Sequence, residues 1–172
     1  YVRVDTGPLG VWKAFQRGKY PVISPSDSRE QVAGLKVRLG TYGDPCAVPQ
    51  AVWSSFLASV AGYAGYTHGW KTEQAQGLKS YCMASCDTLE EYNQARAEGW
   101  RAFYVVPKGL TSKPVGSFLC PASEEGGRKL TCSECMACDG TRTARKASVY
   151  IPVHGVAFKQ TRFNNLIQIG RV

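Results

Sequence analysis

Segments with the residue pattern of strands alternate with helix-like segments, and the connections between them are short. Strands are predicted at 35–39, 66–70 with its exit loop, 81–86, 101–106 and 147–153. A strand, a helix and a second strand joined by short loops form a parallel pair, and right-handed crossovers put the helices on one side of a curving sheet. The order of elements therefore predicts an α/β fold with a mostly parallel sheet in a partial (β/α) barrel-like arrangement.

The length and composition fit one ordinary domain. The chain has 172 residues, of which 44% are hydrophobic, and this is enough for a single buried core. The sequence shows no internal repeat and no boundary between domains, so we interpret residues 1–172 as one α/β domain. No run of about 18 apolar residues exists, and the chain is therefore predicted not to enter a membrane.

The cysteines are concentrated in one short segment. Four of the seven lie within nineteen positions, namely Cys120, Cys132, Cys135 and Cys138. Such density is typical of a metal site. Gly126 and Gly127 give the intervening chain the freedom to fold back, and we predict that residues 119–140 form a metal-binding loop embedded in the domain, with these four cysteines as ligands.

The spacing leaves two metals open. A compact cysteine run with one remote cysteine, here Cys120 followed by Pro121, is typical of a [4Fe–4S] iron–sulfur cluster. Zinc is the alternative, because Cys120 with Cys132 and Cys135 with Cys138 can close a structural four-sulfur site. The third interpretation is two disulfides or reduced thiols, although disulfides need an oxidising compartment and seven cysteines cannot all pair.

Polar side chains follow the predicted strands at their carboxyl ends. In parallel sheets ligands bind at this edge, where the ends of all the strands meet. We expect Asp44, His68 and Asp87 to be catalytic candidates there. The predicted cofactor contacts are Gly43, Asp44, Thr67 and Ser85, and His154 follows the last strand.

Each of these residues also has an ordinary structural explanation. Asp44 precedes a proline as turn residues do, His68 can hydrogen-bond a loop, and Ser85 and Asp87 can end a strand and cap a helix. No Ser-His-Asp or Cys-His nucleophile set is assigned from the sequence. No glycine-rich phosphate loop is present.

The chain is basic, with a formal net charge of +8. This charge is compatible with nucleic acid or another polyanion as a partner. The cations are scattered, and the nearest approach to a cluster is formed by Arg142, Arg145 and Lys146, with Arg128 and Lys129 inside the cysteine loop. The alternative is a basic face that is simply solvated.

Several motifs together resemble an uncharacterised group of phage and prophage proteins. The motifs are Val37 to Pro45, Gly65 to Trp70, Met83 to Asp87, Gly99 to Phe103 and the Cys120 to Cys138 segment, and together they are similar to the phage gene-product-88 family. The resemblance implies a phage- or prophage-encoded protein in the cytoplasm of a bacterial host. It also implies a second, upstream set of cysteines, because relatives carry a cysteine-rich segment ending in Cys-Tyr-Val and this chain begins with Tyr1-Val2.

A more distant similarity is to radical S-adenosylmethionine (SAM) enzymes. Their partial barrels carry a Gly-Gly-Glu-Pro turn that holds the amino group of the cofactor, and Tyr42-Gly43-Asp44-Pro45 resembles a variant of it. The Cys-x3-Cys-x2-Cys motif that holds their reactive cluster is not in this chain. The resemblance implies SAM as a cofactor and a role for the four cysteines like that of an auxiliary cluster.

Three functions are consistent with the sequence. The first is a metal-dependent, radical SAM-like enzyme acting on nucleic acid or nucleotides. The second is a non-catalytic nucleic-acid-binding protein stabilised by zinc. The third is a phage structural or host-interaction protein in which the cysteines only brace a loop.

Overall fold

The computed structural model describes Asp5 and residues 7–41, 43–110, 112–141 and 147–168. It has a mixed α/β architecture with six strands. These are β1 (Lys36–Leu39), β2 (Gly62–Thr67), β3 (Met83–Cys86), β4 (Ala102–Val106), β5 (Ser117–Leu119) and β6 (Ser148–Pro152). Arg142, Arg145 and Lys146, the predicted basic cluster, lie outside the described residues, as does Tyr42.

The six strands form one sheet in the order β1-β2-β3-β4-β6-β5, and every neighbouring pair is parallel. The predicted parallel sheet is thus confirmed, but the sheet is open and does not close into a barrel. Two details of the prediction were wrong. The second strand begins at Gly62 rather than at Tyr66, and β5 is not among the predicted strands.

Six α-helices accompany the sheet. They are α1 (Gly7–Gln16), α2 (Pro25–Val32), α3 (Gln50–Phe56), α4 (Leu89–Ala97), α5 (Cys132–Cys135) and α6 (Ala157–Gln168). The connection between β2 and β3 consists of 3-10 helices, Gly69–Lys71 and Glu73–Ser80. Thr88 caps α4, because its hydroxyl accepts a hydrogen bond from the Glu91 backbone N–H at 3.1 Å. No helix in the described part of the chain combines the length and apolarity needed to cross a bilayer.

The two faces of the sheet have different coverings. One face, which we call the outer face, carries Leu39, Tyr63 and Tyr104. These residues belong to the main core, which continues through Trp70 and Tyr92 of the connecting helices. Alternate residues along each strand point to the opposite, inner face. Helix α6 covers only part of that face, where Phe163 packs against a smaller apolar cluster formed by Val105, Ile151 and Val153.

The cysteine-rich segment is fixed to the sheet beside the inner face. The backbone N–H of Gly65 in β2 donates to the carbonyl of Cys138 at 2.9 Å, and the N–H of Thr141 donates to the carbonyl of Lys79 at 2.8 Å. Met136, which has a left-handed φ of 42°, lies near Gly62 at the start of β2. The segment is therefore anchored at its carboxyl-terminal end.

A single buried arginine strengthens this anchor. Arg101, just before β4, is 3% exposed and pairs with Asp139 at 2.6 Å. Its guanidinium also donates to the carbonyls of Ala137 at 2.7 Å, Gly140 at 2.7 Å and Ala147 at 2.9 Å. One side chain thus fixes the backbone on both sides of Cys138.

Candidate functional site

A cavity of about 1070 Å³ lies between the inner face of the sheet and the cysteine-rich segment. Parallel sheets are normally covered on both faces, so an open inner face is an obvious place for a ligand. The cavity is lined by His68, Ser85 and Asp87 from the strand ends and by Cys120, Cys132 and Cys138 from the segment. Two groups of residues that the sequence predicted separately therefore meet in one cavity.

Asp44 organises the turn after β1. Its Oδ1 accepts from the backbone N–H of Cys46 at 3.0 Å and from the Thr67 hydroxyl, and its Oδ2 accepts from the backbone N–H of His68 at 2.7 Å. Burial by itself raises the pKa of Asp44, but the hydrogen bonds from Thr67, Cys46 and His68 outweigh burial, and the net pKa is lowered. The carboxylate is therefore ionised at neutral pH.

His68 lies between three polar side chains. Its Nε2 is 3.1 Å from the Ser85 hydroxyl and 3.8 Å from Oδ2 of Asp87, and its Nδ1 is 3.9 Å from Oδ2 of Asp44. The imidazole side chain is 64% exposed, whereas Ser85 and Asp87 are buried. An exposed imidazole with buried partners can exchange protons with a ligand in the cavity.

Asp87 is in a different electrostatic environment from Asp44. Burial raises its pKa, and the charge of Glu91 adds to this, while His68 acts in the opposite direction. The net direction is upward. The pKa values of the two carboxyls beside His68 are thus shifted in opposite directions.

The four predicted metal-binding cysteines lie in the same segment and affect one another electrostatically. Burial raises the pKa of Cys138 to about 12, and negative charge on Cys120, Cys135 or Cys132 would raise it further, while Arg101 lowers it. Burial also raises the pKa of Cys120, as do Cys132 and Cys135. A bound cation is what would relieve such mutual repulsion between thiolates.

The placement of these sulfurs is not that of a formed metal site. Among the residues outside the gaps in the description, no group of three or more His, Cys, Asp or Glu side chains is positioned to hold a metal ion. The chemistry of the donor set fits zinc or an iron–sulfur cluster, because it consists of four soft sulfur ligands. The predicted metal loop remains a prediction, and binding requires these side chains to close around the ion.

The floor of the cavity is aromatic and basic. Tyr66 of β2 and Phe103 of β4 stack with ring centroids 4.5 Å apart and an interplanar angle of 10°. Arg38 of β1 donates to the Tyr66 hydroxyl, with its guanidinium carbon 5.4 Å from the ring centroid. Lys36 lies two residues earlier on the same face and also lines the cavity. Such a floor suits a ligand with an apolar body and a negative group.

Comparison of the chain with models of known protein families, with curated proteins and with solved structures gave no match. The geometry of the cavity is therefore the main basis for inferring a function.

The structure separates the predicted site residues into two groups. His68, Ser85 and Asp87 line the cavity together with His154, whereas Gly43, Asp44 and Thr67 are not among its lining residues. Asp44 and Thr67 instead bond to each other and to the backbone around His68. Asp44 and Thr67 therefore support the backbone around the histidine and do not line the cavity, and Gly43 does not line it either.

Sequence reasoning missed the cavity floor and the buried arginine. Arg38 and Phe103 could have been found from strand periodicity, because each is next to an outer-face core residue, Leu39 or Tyr104, and Tyr66 is next to the buried Thr67. Arg101 gave no such signal, because its partners at 137–147 are about forty residues away in the chain.

Proposed function

We propose that this protein is a metal-thiolate enzyme that binds a nucleotide-type ligand between its parallel sheet and its cysteine-rich segment. The observation that carries the proposal is the shared cavity: the strand-end residues His68, Ser85 and Asp87 face the same space as Cys120, Cys132 and Cys138. A purely structural brace has no reason to lie beside an exposed histidine and two buried polar groups.

Cys120, Cys132, Cys135 and Cys138 would hold the metal. An iron–sulfur cluster would supply electrons to the cavity, whereas zinc would supply positive charge or only rigidity. Arg101 fixes the backbone around Cys138 before any metal binds, through its bonds to residues 137, 139 and 140. Because Cys138 is already held in place, less conformational entropy would be lost when the other three cysteines close around the metal.

The ligand would occupy the space above Tyr66 and Phe103. A cavity of about 1070 Å³ is large enough for SAM or a nucleotide. Arg38 would hold the carboxylate or phosphate of such a ligand, and His68 would exchange a proton with it. Together with the resemblance to phage proteins, this favours an enzyme acting on nucleic acid or nucleotides in the bacterial cytoplasm.

The test is metal analysis with an absorption spectrum on anaerobically purified protein. About four irons per chain with a broad visible band indicate an iron–sulfur cluster, and about one zinc without colour indicates a structural or Lewis-acid site. Cys135→Ser should lose most of the metal, while Cys46→Ser, a cysteine outside the segment, should retain it. Full metal content in both variants would refute the assignment of the ligands.

A ligand assay separates the enzyme from a simple metalloprotein. SAM binding by the metal-loaded protein, measured by equilibrium dialysis, should weaken at least about tenfold in Arg38→Met, a loss that corresponds to about 1.4 kcal/mol. Arg29→Met, which removes an exposed cation of α2, is the matched control. Cleavage of SAM by the reduced protein would identify the radical reaction.

The second candidate is a zinc-stabilised protein that binds nucleic acid without catalysis. The net charge of +8 and the exposed Lys36 and Arg38 favour it. Affinity for a DNA or RNA oligonucleotide that falls steeply with salt, without SAM or nucleotide turnover, would support this candidate. If the protein binds neither SAM nor an oligonucleotide, the remaining hypothesis is a phage structural or interaction protein.

A further inference from the structure

We propose that Ser85 is a nucleophile, that His68 is its general base, and that Asp44 positions the histidine. The three residues come from the ends of β3, β2 and β1 and meet at one edge of the sheet. This arrangement is a Ser-His-Asp set, which the sequence did not reveal because the three residues are spread over forty positions. The inference does not depend on a metal and concerns an acyl-transfer activity in the same cavity.

The distances follow the order that such a set requires. The Ser85 hydroxyl is 3.1 Å from Nε2 of His68, within hydrogen-bonding range. On the other side of the ring, Nδ1 is 3.9 Å from Oδ2 of Asp44, which also accepts the backbone N–H of His68 at 2.7 Å. The nucleophile and the carboxylate thus face opposite nitrogens of the ring. Contacts of this kind are often long without substrate and shorten when it binds.

The electrostatics select the tautomer that a base needs. The lowered pKa of Asp44 keeps a negative charge beside Nδ1, and this favours a proton on that nitrogen. Oδ2 of Asp87 lies 3.8 Å from Nε2, whereas the Ser85 hydroxyl is 3.1 Å away, so Ser85 is the nearer partner of that nitrogen. Nε2 is then left with a lone pair directed at Ser85, so the imidazole can accept the hydroxyl proton.

Ser85 is accessible from only one direction. The residue is 3% exposed, yet it lines the cavity beneath His68. A reactive serine in this position is protected from bulk water and meets only molecules that enter the cavity. Its partner across the sheet is Phe103, whose ring stacks on that of Tyr66, so the acyl group of a substrate would lie against an apolar surface.

The proposed reaction is hydrolysis of a small ester with an apolar or aromatic acyl group. The Ser85 oxygen attacks the acyl carbon and its proton passes to Nε2 of His68. The carbon–oxygen bond to the alcohol then breaks, and the alcohol leaves with that proton. Water next attacks the acyl-serine, His68 takes a proton from the water and returns it to the Ser85 oxygen, and the free acid departs. No oxidant, reductant or further reactant is needed.

A fluorophosphonate probe tests the nucleophile directly, since it forms a covalent bond only with an activated serine. We expect one equivalent to label the wild-type protein, with mass spectrometry locating the adduct on Ser85. Ser85→Ala should remove the label, and His68→Gln should slow labelling at least about a hundredfold, the lower end of the range for loss of a general base. Ser54→Ala, which removes an exposed serine of α3, should label like the wild type.

Hydrolysis of p-nitrophenyl acetate provides the second readout. The wild type should show a burst of nitrophenol followed by slower turnover, and Ser85→Ala should show neither. Asp44→Asn should lower kcat while leaving KM nearly unchanged, as expected for a residue that orients the base and does not touch the substrate. Partial unfolding of Asp44→Asn would also lower the apparent kcat without changing KM. The kcat is therefore calculated per active site, counted from the fraction of protein that the fluorophosphonate finally labels.

The outcomes separate this inference from the metal proposal. Absence of labelling in protein that binds its metal normally would overturn the nucleophile and leave the metal site intact. Hydrolysis that survives Ser85→Ala but disappears with a chelator would also overturn it, because it would come from a metal-bound water. Labelling at Ser85 in metal-free protein would establish the nucleophile independently of the cysteines.

Discussion

Arg101 is the residue with the most partners at the candidate site. Its guanidinium is buried and satisfied by one carboxylate and three carbonyls, all belonging to the segment that carries Cys138 or to the start of β6. Removing one partner of a buried ion pair costs more than the pair itself contributes, because an uncompensated charge remains.

We therefore expect Arg101→Met to destabilise the protein by about 3–5 kcal/mol, since it leaves the Asp139 carboxylate buried without its partner. Urea denaturation followed by circular dichroism would measure this. Arg29→Met, at an exposed position of α2, should cost less than about 0.5 kcal/mol. Equal stabilities of the two variants would show that Arg101 does not anchor the segment.

Asp44 gives a prediction about pH. Its pKa is lower in the folded protein than the ordinary value of 3.8, so the ionised side chain stabilises the fold above that pH. Asp44→Asn should cost about 1–2 kcal/mol at neutral pH, through weaker hydrogen bonds from Thr67 and His68. The difference in stability between the two proteins should narrow as the pH falls below 3.8 and Asp44 becomes protonated. Denaturation curves of the wild type and Asp44→Asn at a series of pH values would measure this difference in stability. A difference that stays constant across the pH range would contradict a lowered pKa for Asp44.

At the scale of single residues, the sequence predicted which side chains gather at the strand ends but not which of them touch. The carboxyl ends of parallel strands meet at one edge in any such fold, so His68, Ser85 and Asp87 could be placed there. The hydrogen bond between His68 and Ser85 depends on the backbone turn after β2, which Asp44 fixes from a distant part of the chain.

At the scale of elements, the cysteine-rich segment depends on close backbone contacts as well as on Arg101. Gly140 has a φ of +69°, and a Cβ atom there would lie 2.4 Å from the carbonyl oxygen of Lys79 and 2.8 Å from the backbone nitrogen of Cys82. Both neighbours are main-chain atoms and cannot move aside easily.

Gly140→Ala and Gly127→Ala form a matched pair. Both glycines have a positive φ, but a Cβ atom at Gly127 would meet nothing closer than 3.8 Å. Gly127→Ala should cost about 1 kcal/mol from backbone strain alone. Gly140→Ala should cost at least about 2 kcal/mol more, because the chain must also move away from Lys79. Thermal unfolding of the two variants measures the difference, and equal costs would mean that the segment does not pack as described.

The elements predicted incorrectly share a physical cause. Strand β5 has only three residues, and its pairing with β6 is set by tertiary contacts rather than by its own composition. Helix α3 ends at Phe56 and continues as a 3-10 turn, Leu57–Ser59. Local patterns identify long elements well and short or terminal ones poorly.

At the scale of the whole molecule, stability is distributed unevenly. All four residues of β3 are buried, whereas no residue of α1 is, and Trp12 and Phe15 of that helix are more than half exposed. The apolar side of α1 is therefore largely open to solvent in the described part of the chain.

Native-state hydrogen exchange should show that β3 is more stable against local opening than α1. Amides of β3 and β4 should exchange only through global unfolding, because they lie in the middle of the sheet and bond to strands on both sides. Amides of α1 should exchange at least about a hundred times faster, through local opening. Uniform protection of α1 and β3 would show that α1 is packed more firmly than its exposure indicates.

The strand order has a consequence for how the protein is made. Strands β1 to β4 are neighbours in chain order, but β6 lies between β4 and β5, and β5 pairs with no other described strand. During synthesis a four-stranded sheet can form first, while β5 waits for β6 to emerge. Cys120, which follows β5 and donates its backbone N–H to the carbonyl of Tyr150 in β6, therefore takes its place late. The other end of the cysteine-rich segment can dock earlier, because its partners Gly65 and Arg101 precede it in the chain.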